Sequence, residues 1–140
     1  MPRKEDWPER LHEAIRSLET TPFVWGSSDC LMNASTLIQA ITGVDPGAAH
    51  RGTYSSLEGA LQIVTAAGCA DIEAFVTKMA SENGYQEIGV KFASRGDLVI
   101  FDSPDGPAYG VVAGVEAIVT GPNGLRKLPT LTARKAWRVA

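Results

Sequence analysis

Apolar residues recur along the first 84 positions with the period of a helix, and beyond them with the period of a strand. Leu11, Ala14, Ile15 and Leu18 follow one another at i, i+3, i+4 and i+7, which makes one apolar stripe. Asp6 with Glu9 reads as a capping box ahead of that stripe, and Pro8 is tolerated in a first turn. His12 and Arg16 fall on the opposite, polar face. A second helix is predicted from Cys30 to Ile41, stopped by Gly43, with Cys30, Ala34, Leu37, Ile38 and Ile41 on one face. The turn-rich "VDPGAAHRGTYSS" reads as a loop. Ser55 with Glu58 opens a third helix that ends near Gly68. Asp71 caps a fourth, whose stripe is Ile72, Phe75, Val76, Met79 and Ala80, and "ENG" ends it.

After residue 85 the segments are short, rich in β-branched residues and separated by Gly, Pro, Asn or Asp: "DLVIFD", "AYGVVAGV", "EAIVT", "LRKLP" and "KAWRV". Within the first of these, Leu98, Ile100 and Asp102 alternate with Val99 and Phe101, so one buried face is predicted. "PNG" at 122–124 signals a hairpin. Such close spacing favours an antiparallel meander over parallel βαβ units. The prediction is a single α+β domain over 1–140, helical at about 6–84, with a sheet of about five strands at about 86–139.

Composition narrows the function classes. At 140 residues, 44% hydrophobic and 21% charged, the chain is long enough to bury a core. A formal charge of -3 with scattered Lys and Arg argues against nucleic acid and anionic membranes as partners. No apolar run suits a membrane span, and "MPRKEDWPER" contains no signal-peptide core. Two cysteines form no disulfide framework and no metal-ligand cluster, so neither metal nor cofactor is expected.

Candidate chemistry begins at "TPFVWGSSDC". A thiol at a helix start could be a nucleophile if its proton is removed, but Cys30 is also a residue type that is commonly buried. Cys69, behind Gly68, reads as structural. Asp97 reads as a strand-start residue accepting backbone hydrogen bonds. Asp102 and Asp105 belong to a Pro/Gly turn, where Asp serves the backbone. Trp137 reads as a core or edge-strand aromatic.

Phe23, Trp25, Gly26, Asp29 and Cys30, followed by Gly96, Asp97 and Leu98 and then Gly110 and Gly114, occur in an order that resembles the NlpC/P60 family. These are papain-like cysteine peptidases of bacterial cell walls, and the resemblance covers about residues 20–120. It implies a papain-like fold with Cys30 at the nucleophile position, a histidine on the second strand and a polar residue on the third. Relative to a minimal member, the helices at 55–83 look like an insertion.

The chain departs from the family at the base. Aligning the glycine of the family's His-Val-Gly run with Gly110 puts Ala108 in the histidine's place. The alternation of a strand then turns Tyr109 to the other face. Phe23 replaces a tyrosine, Leu31 a serine, and Thr120 falls where the orienting residue belongs. Of the two histidines, His12 lies on a polar helix face, while His50, in the loop after the Cys30 helix, is the one candidate for a substitute base. A "WGxxDC" start, a "GPAxGV" strand and a final "AWRV" also resemble a phage and prophage group related to NlpC/P60. That resemblance implies a non-catalytic structural or adaptor protein of a phage tail, located in the virion or the host cytoplasm and partnered by other tail proteins. Two alternatives stay open: an active peptidoglycan endopeptidase or amidase using Cys30, and a module that binds a peptide or glycan in the remnant cleft.

Overall fold

In the computed structural model, residues 2–104 and 106–140 are described; Asp105 lies outside the described residues. The architecture is α+β, with four helices and a six-stranded antiparallel sheet among the described residues. The helices are α1 (Trp7–Glu19), α2 (Cys30–Thr42), α3 (Leu57–Ala66) and α4 (Ile72–Glu82). The strands are β1 (Gln86–Ile88), β2 (Leu98–Phe101), β3 (Ala108–Val112), β4 (Glu116–Gly121), β5 (Gly124–Pro129) and β6 (Lys135–Arg138). None of the described helices is long and apolar enough to cross a membrane.

Side-chain oxygens start three of the helices. Asp29 accepts from Met32 N–H at 2.9 Å, Ser56 from Gly59 N–H at 3.0 Å and Asp71 from Ala74 N–H at 2.8 Å. The cap of α3 is therefore Ser56, one residue past the predicted Ser55. At α1 the expected capping box is not made: Asp6 makes no side-chain cap and instead receives Arg10 Nε at 2.7 Å. Gly43 ends α2 in the left-handed conformation, at φ 83.

The sheet departs from the predicted five-strand meander in two ways. It has a sixth strand, β1, and its order is β1-β6-β2-β3-β4-β5, so the last strand lies inside the sheet. β6 pairs with β1 on one side and β2 on the other. Its consecutive residues Ala136 and Trp137 point to opposite faces and are both buried, the mark of an interior strand. Trp137 is accordingly a core residue. β2 is likewise buried along its whole length rather than on one face.

Two apolar layers result. On the helix side, Leu98, Ile100, Tyr109, Val111, Ile118 and Trp137 pack under Leu37, Ile38 and Ile41 of α2 and Val76 of α4. Each large aliphatic side chain buried there contributes about 1.5–3 kcal/mol relative to exposure. On the far side, Val99, Phe101, Val112, Ala117, Val119 and Ala136 form a smaller cluster, with Val90, Ala93 and Ala133 packed on it. Two 3-10 turns, Val90–Phe92 and Thr130–Thr132, touch each other across that side. β3 and β4 approach closely at Gly110, where a Cβ would lie 2.3 Å from Ile118 O.

Asp97 ties the termini to this frame. It is fully buried and receives Arg3 Nη2 at 2.8 Å, Ser94 N–H at 3.0 Å, Arg138 Nε at 3.3 Å and Val139 N–H at 3.3 Å. Its expected backbone role is present. The two guanidinium partners, from opposite ends of the chain, carry no local sequence signal.

Candidate functional site

The sequence "WGSSDC" folds as a tight turn delivering Cys30 to the first position of α2. Gly26 takes φ 85, and a Cβ there would lie 2.1 Å from Tyr54 O, so glycine is required on two counts. Phe23 and Trp25 meet edge to face, with centroids 5.0 Å apart.

Asp29 holds the turn together. One carboxylate oxygen caps α2, and the other accepts Gly26 N–H at 2.8 Å and the Tyr54 hydroxyl at 2.5 Å. The loop from 44 to 56 is thereby strapped onto the helix start. Gly52 N–H donates to Gly26 O at 2.8 Å, and Arg51 reaches Ser27 O at 3.2 Å and Asp45 at 2.8 Å. Burial, together with the bond to Asp29, drives the Tyr54 phenol further from ionisation.

The Cys30 thiol is pushed up to about 11, by burial first and by the charge of Asp29 second. The backbone N–H groups of Cys30 and Leu31 act in the opposite sense without compensating. A helix N-terminus contributes only about 0.3–1 kcal/mol to a nearby anion, too little to offset desolvation beside a carboxylate. At neutral pH the sulfur is a thiol.

The residue of β3 that faces Cys30 is Tyr109, which corrects the predicted alignment. Tyr109 pairs with Ile100 and lies in the helix-side layer; Ala108 lies in the far-side cluster. Strand alternation is respected, but the two residues take the faces opposite to those expected. Tyr109 is 1% exposed, so its ring fills the space above the strand. Burial and the neighbouring Cys30 raise its phenol, and its hydroxyl has no hydrogen-bond partner among the described residues.

Thr120 stands on β4, where the register Gly110↔Val119 continues to set it opposite Tyr109. Its Oγ accepts Asn33 Nδ2 at 2.9 Å. Asn33, one turn after Cys30, is buried and its Oδ1 is unpaired among the described residues. Sequence reasoning missed Asn33 and Tyr54. A polar residue at i+3 from Cys30 on an apolar helix is a usable signal; nothing near Tyr54 forecasts its reach to Asp29.

His50 makes no hydrogen bond to the Cys30 sulfur among the described residues. The His50 ring packs against Phe75 of α4, with centroids 5.4 Å apart, and the charged neighbour acting on Cys30 is Asp29. His12 sits exposed on α1. A cavity of about 200 Å³ lies between α2 and α4, lined by Leu31, Met32, His50 and Phe75 among others and not by Cys30. Among the described residues, no three His, Cys, Asp or Glu side chains gather as metal ligands. The arrangement holds a half-buried neutral thiol next to a buried phenol and a buried Asn–Thr pair. Among the described residues, no imidazole is hydrogen-bonded to this group, and the Tyr109 phenol, raised by burial, is a weak acid–base partner.

A family model described as Domain of unknown function (DUF6950) matches residues 2–139. No curated protein matches the chain.

Proposed function

The chain belongs to the DUF6950 family, and we propose that it is a degenerate, papain-like protein of NlpC/P60 type that serves a phage or prophage tail as a structural or adaptor component. The observation that supports this most is the identity of the side chain facing Cys30: a buried phenol, raised in pKa, where a hydrolase of this kind needs an imidazole. With the thiol itself pushed up to about 11, the thiolate at pH 7 is about one molecule in 10⁴. Amide hydrolysis also requires an acid for the departing amine, and the Tyr109 phenol, raised by burial, is a weak one. Asp29, Asn33, Tyr54 and Thr120 then act as internal polar struts holding strap, helix and sheet in one register. The tail assignment rests on the order of the "WGSSDC", "GPAYGV" and "AWRV" segments and their resemblance to phage and prophage proteins.

Iodoacetamide alkylation of Cys30 in a Cys69→Ser background, followed by mass spectrometry from pH 6 to 10, tests the non-catalytic half. The rate should climb about tenfold per pH unit without levelling, because the thiolate fraction does. A plateau reached below pH 8, together with peptidoglycan digestion that Cys30→Ala abolishes, would replace the scaffold with an active endopeptidase.

A further inference from the structure

The cavity of about 200 Å³ between α2 and α4 is lined without Cys30. Ile38, Val76 and Leu98 of the helix-side core form its buried floor. Its walls carry Met32, Met79 and the Phe75 and His50 rings, the last two meeting edge to face at 5.4 Å. Lys78 and Glu82 are exposed and mark where it opens to solvent. Packed interiors leave few voids wider than a water molecule, so a space of this size with an apolar lining has the character of a binding site rather than of a packing gap.

Polar groups converge on this space. Ser35 lines it, is 5% exposed, and its hydroxyl makes no hydrogen bond among the described residues; neither does the His50 ring. A buried hydroxyl in that condition favours an occupant that pairs with it. The loop after α2 is a glycine where it crosses Ser35. A Cβ on Gly47 would lie 2.9 Å from Ser35 Oγ and 3.0 Å from Met32 Cε, so a side chain there would take up room in the cavity.

The lining also selects the chemistry of the occupant. Lys78 and Glu82 offset each other at the rim, with Lys78 Nζ 3.9 Å from Glu82 and 3.2 Å from Ala67 O. A charged ligand would lose its hydration against alkyl groups, and a sugar would set several hydroxyls against them. A wholly apolar cavity of about 150 Å³ takes up one benzene ring, so this one has room for a ring and a short substituent. The Phe75 ring offers edge-to-face contact, and methionine sulfur favours ring edges. We propose that this cavity binds a neutral single-ring aromatic molecule of the phenol class, its ring among Met32, Phe75 and Met79 and its hydroxyl paired with Ser35. The site is independent of the adaptor reading, since Cys30 does not line it.

The probe is p-cresol, titrated into the full chain carrying labelled methionine methyl groups and followed by NMR. Saturable shifts of the Met32 and Met79 methyls are expected, each assigned through its Leu variant. Ser35→Ala should weaken p-cresol at least fivefold, because the ligand hydroxyl is left unpaired, and should leave toluene within twofold. The carboxylate p-toluate should not saturate. Shifts that grow without saturating, p-toluate binding as tightly as p-cresol, or a Ser35→Ala protein in which both neutral ligands weaken equally or neither does, would each overturn the proposal. A Leu-bearing peptide that saturates these methyls where p-cresol does not would overturn it in favour of a protein partner. Should circular dichroism show that Ser35→Ala does not fold, Gly47→Ala must weaken p-cresol and toluene together, and unchanged affinities there would equally overturn it.

Discussion

Tyr109→His should wake the Cys30 sulfur, while Ala108→His, one residue away, should not. Both replacements put an imidazole on β3, but only position 109 shares the helix-side layer with Cys30; position 108 opens onto the far-side cluster. The wild-type thiol sits at about 11, so about 10⁻⁴ of it is thiolate at pH 7, against about 3% for a free cysteine. An imidazolium in contact with a thiol brings such pairs into the range of about 3.5–7.5 in cysteine enzymes. Burial and Asp29 will resist, so a fall of about two units is the minimum to expect, which is about a hundredfold more thiolate at pH 7. The cost in stability should be about 1–3 kcal/mol for a smaller side chain in a filled site, partly offset because the Tyr109 hydroxyl is unpaired. The assay is the pH 7 alkylation rate in a Cys69→Ser background, with Tyr109→Phe as the control for loosened packing. A folded Tyr109→His protein whose rate stays within threefold of Tyr109→Phe, or an Ala108→His protein that reacts as fast, would refute the assignment of position 109.

Two further predictions concern stability. The Cys30 thiol keeps its proton in the folded protein to about 11 and the Tyr85 phenol to about 12, both above their unfolded values of about 8.5 and 10. Above pH 8.5 the unfolded chain binds fewer protons than the native one, so stability should be full below that pH and fall progressively through pH 11. Urea midpoints at pH 7, 9 and 10.5 check this, and an unchanged midpoint at 10.5 would contradict the burial of both groups. Asp29→Ala removes a cap worth about 1 kcal/mol and leaves Gly26 N–H and the Tyr54 hydroxyl without their acceptor at about 1–3 kcal/mol each. A loss of about 3–7 kcal/mol is expected by urea denaturation, and a loss under 1 kcal/mol would mean that the strap is not held through Asp29.

What the sequence determined by itself was local. The period-3.6 stripes of α1, α2 and α4, the cap at Asp71 and the left-handed stop at Gly43 each depend on residues within a turn or two, where propensity and burial agree. Only the tertiary structure decided which β3 residue confronts the sulfur. A one-residue shift in alignment exchanges the two faces of a strand, and sequence carries no marker of which face a helix will cover. It also decided that β6 slots between β1 and β2, that Tyr54 reaches back to Asp29, and that Arg3 and Arg138 share Asp97 across 94 and 41 residues. These are pairings between distant segments, selected by the whole packed interior rather than by any neighbourhood of the chain.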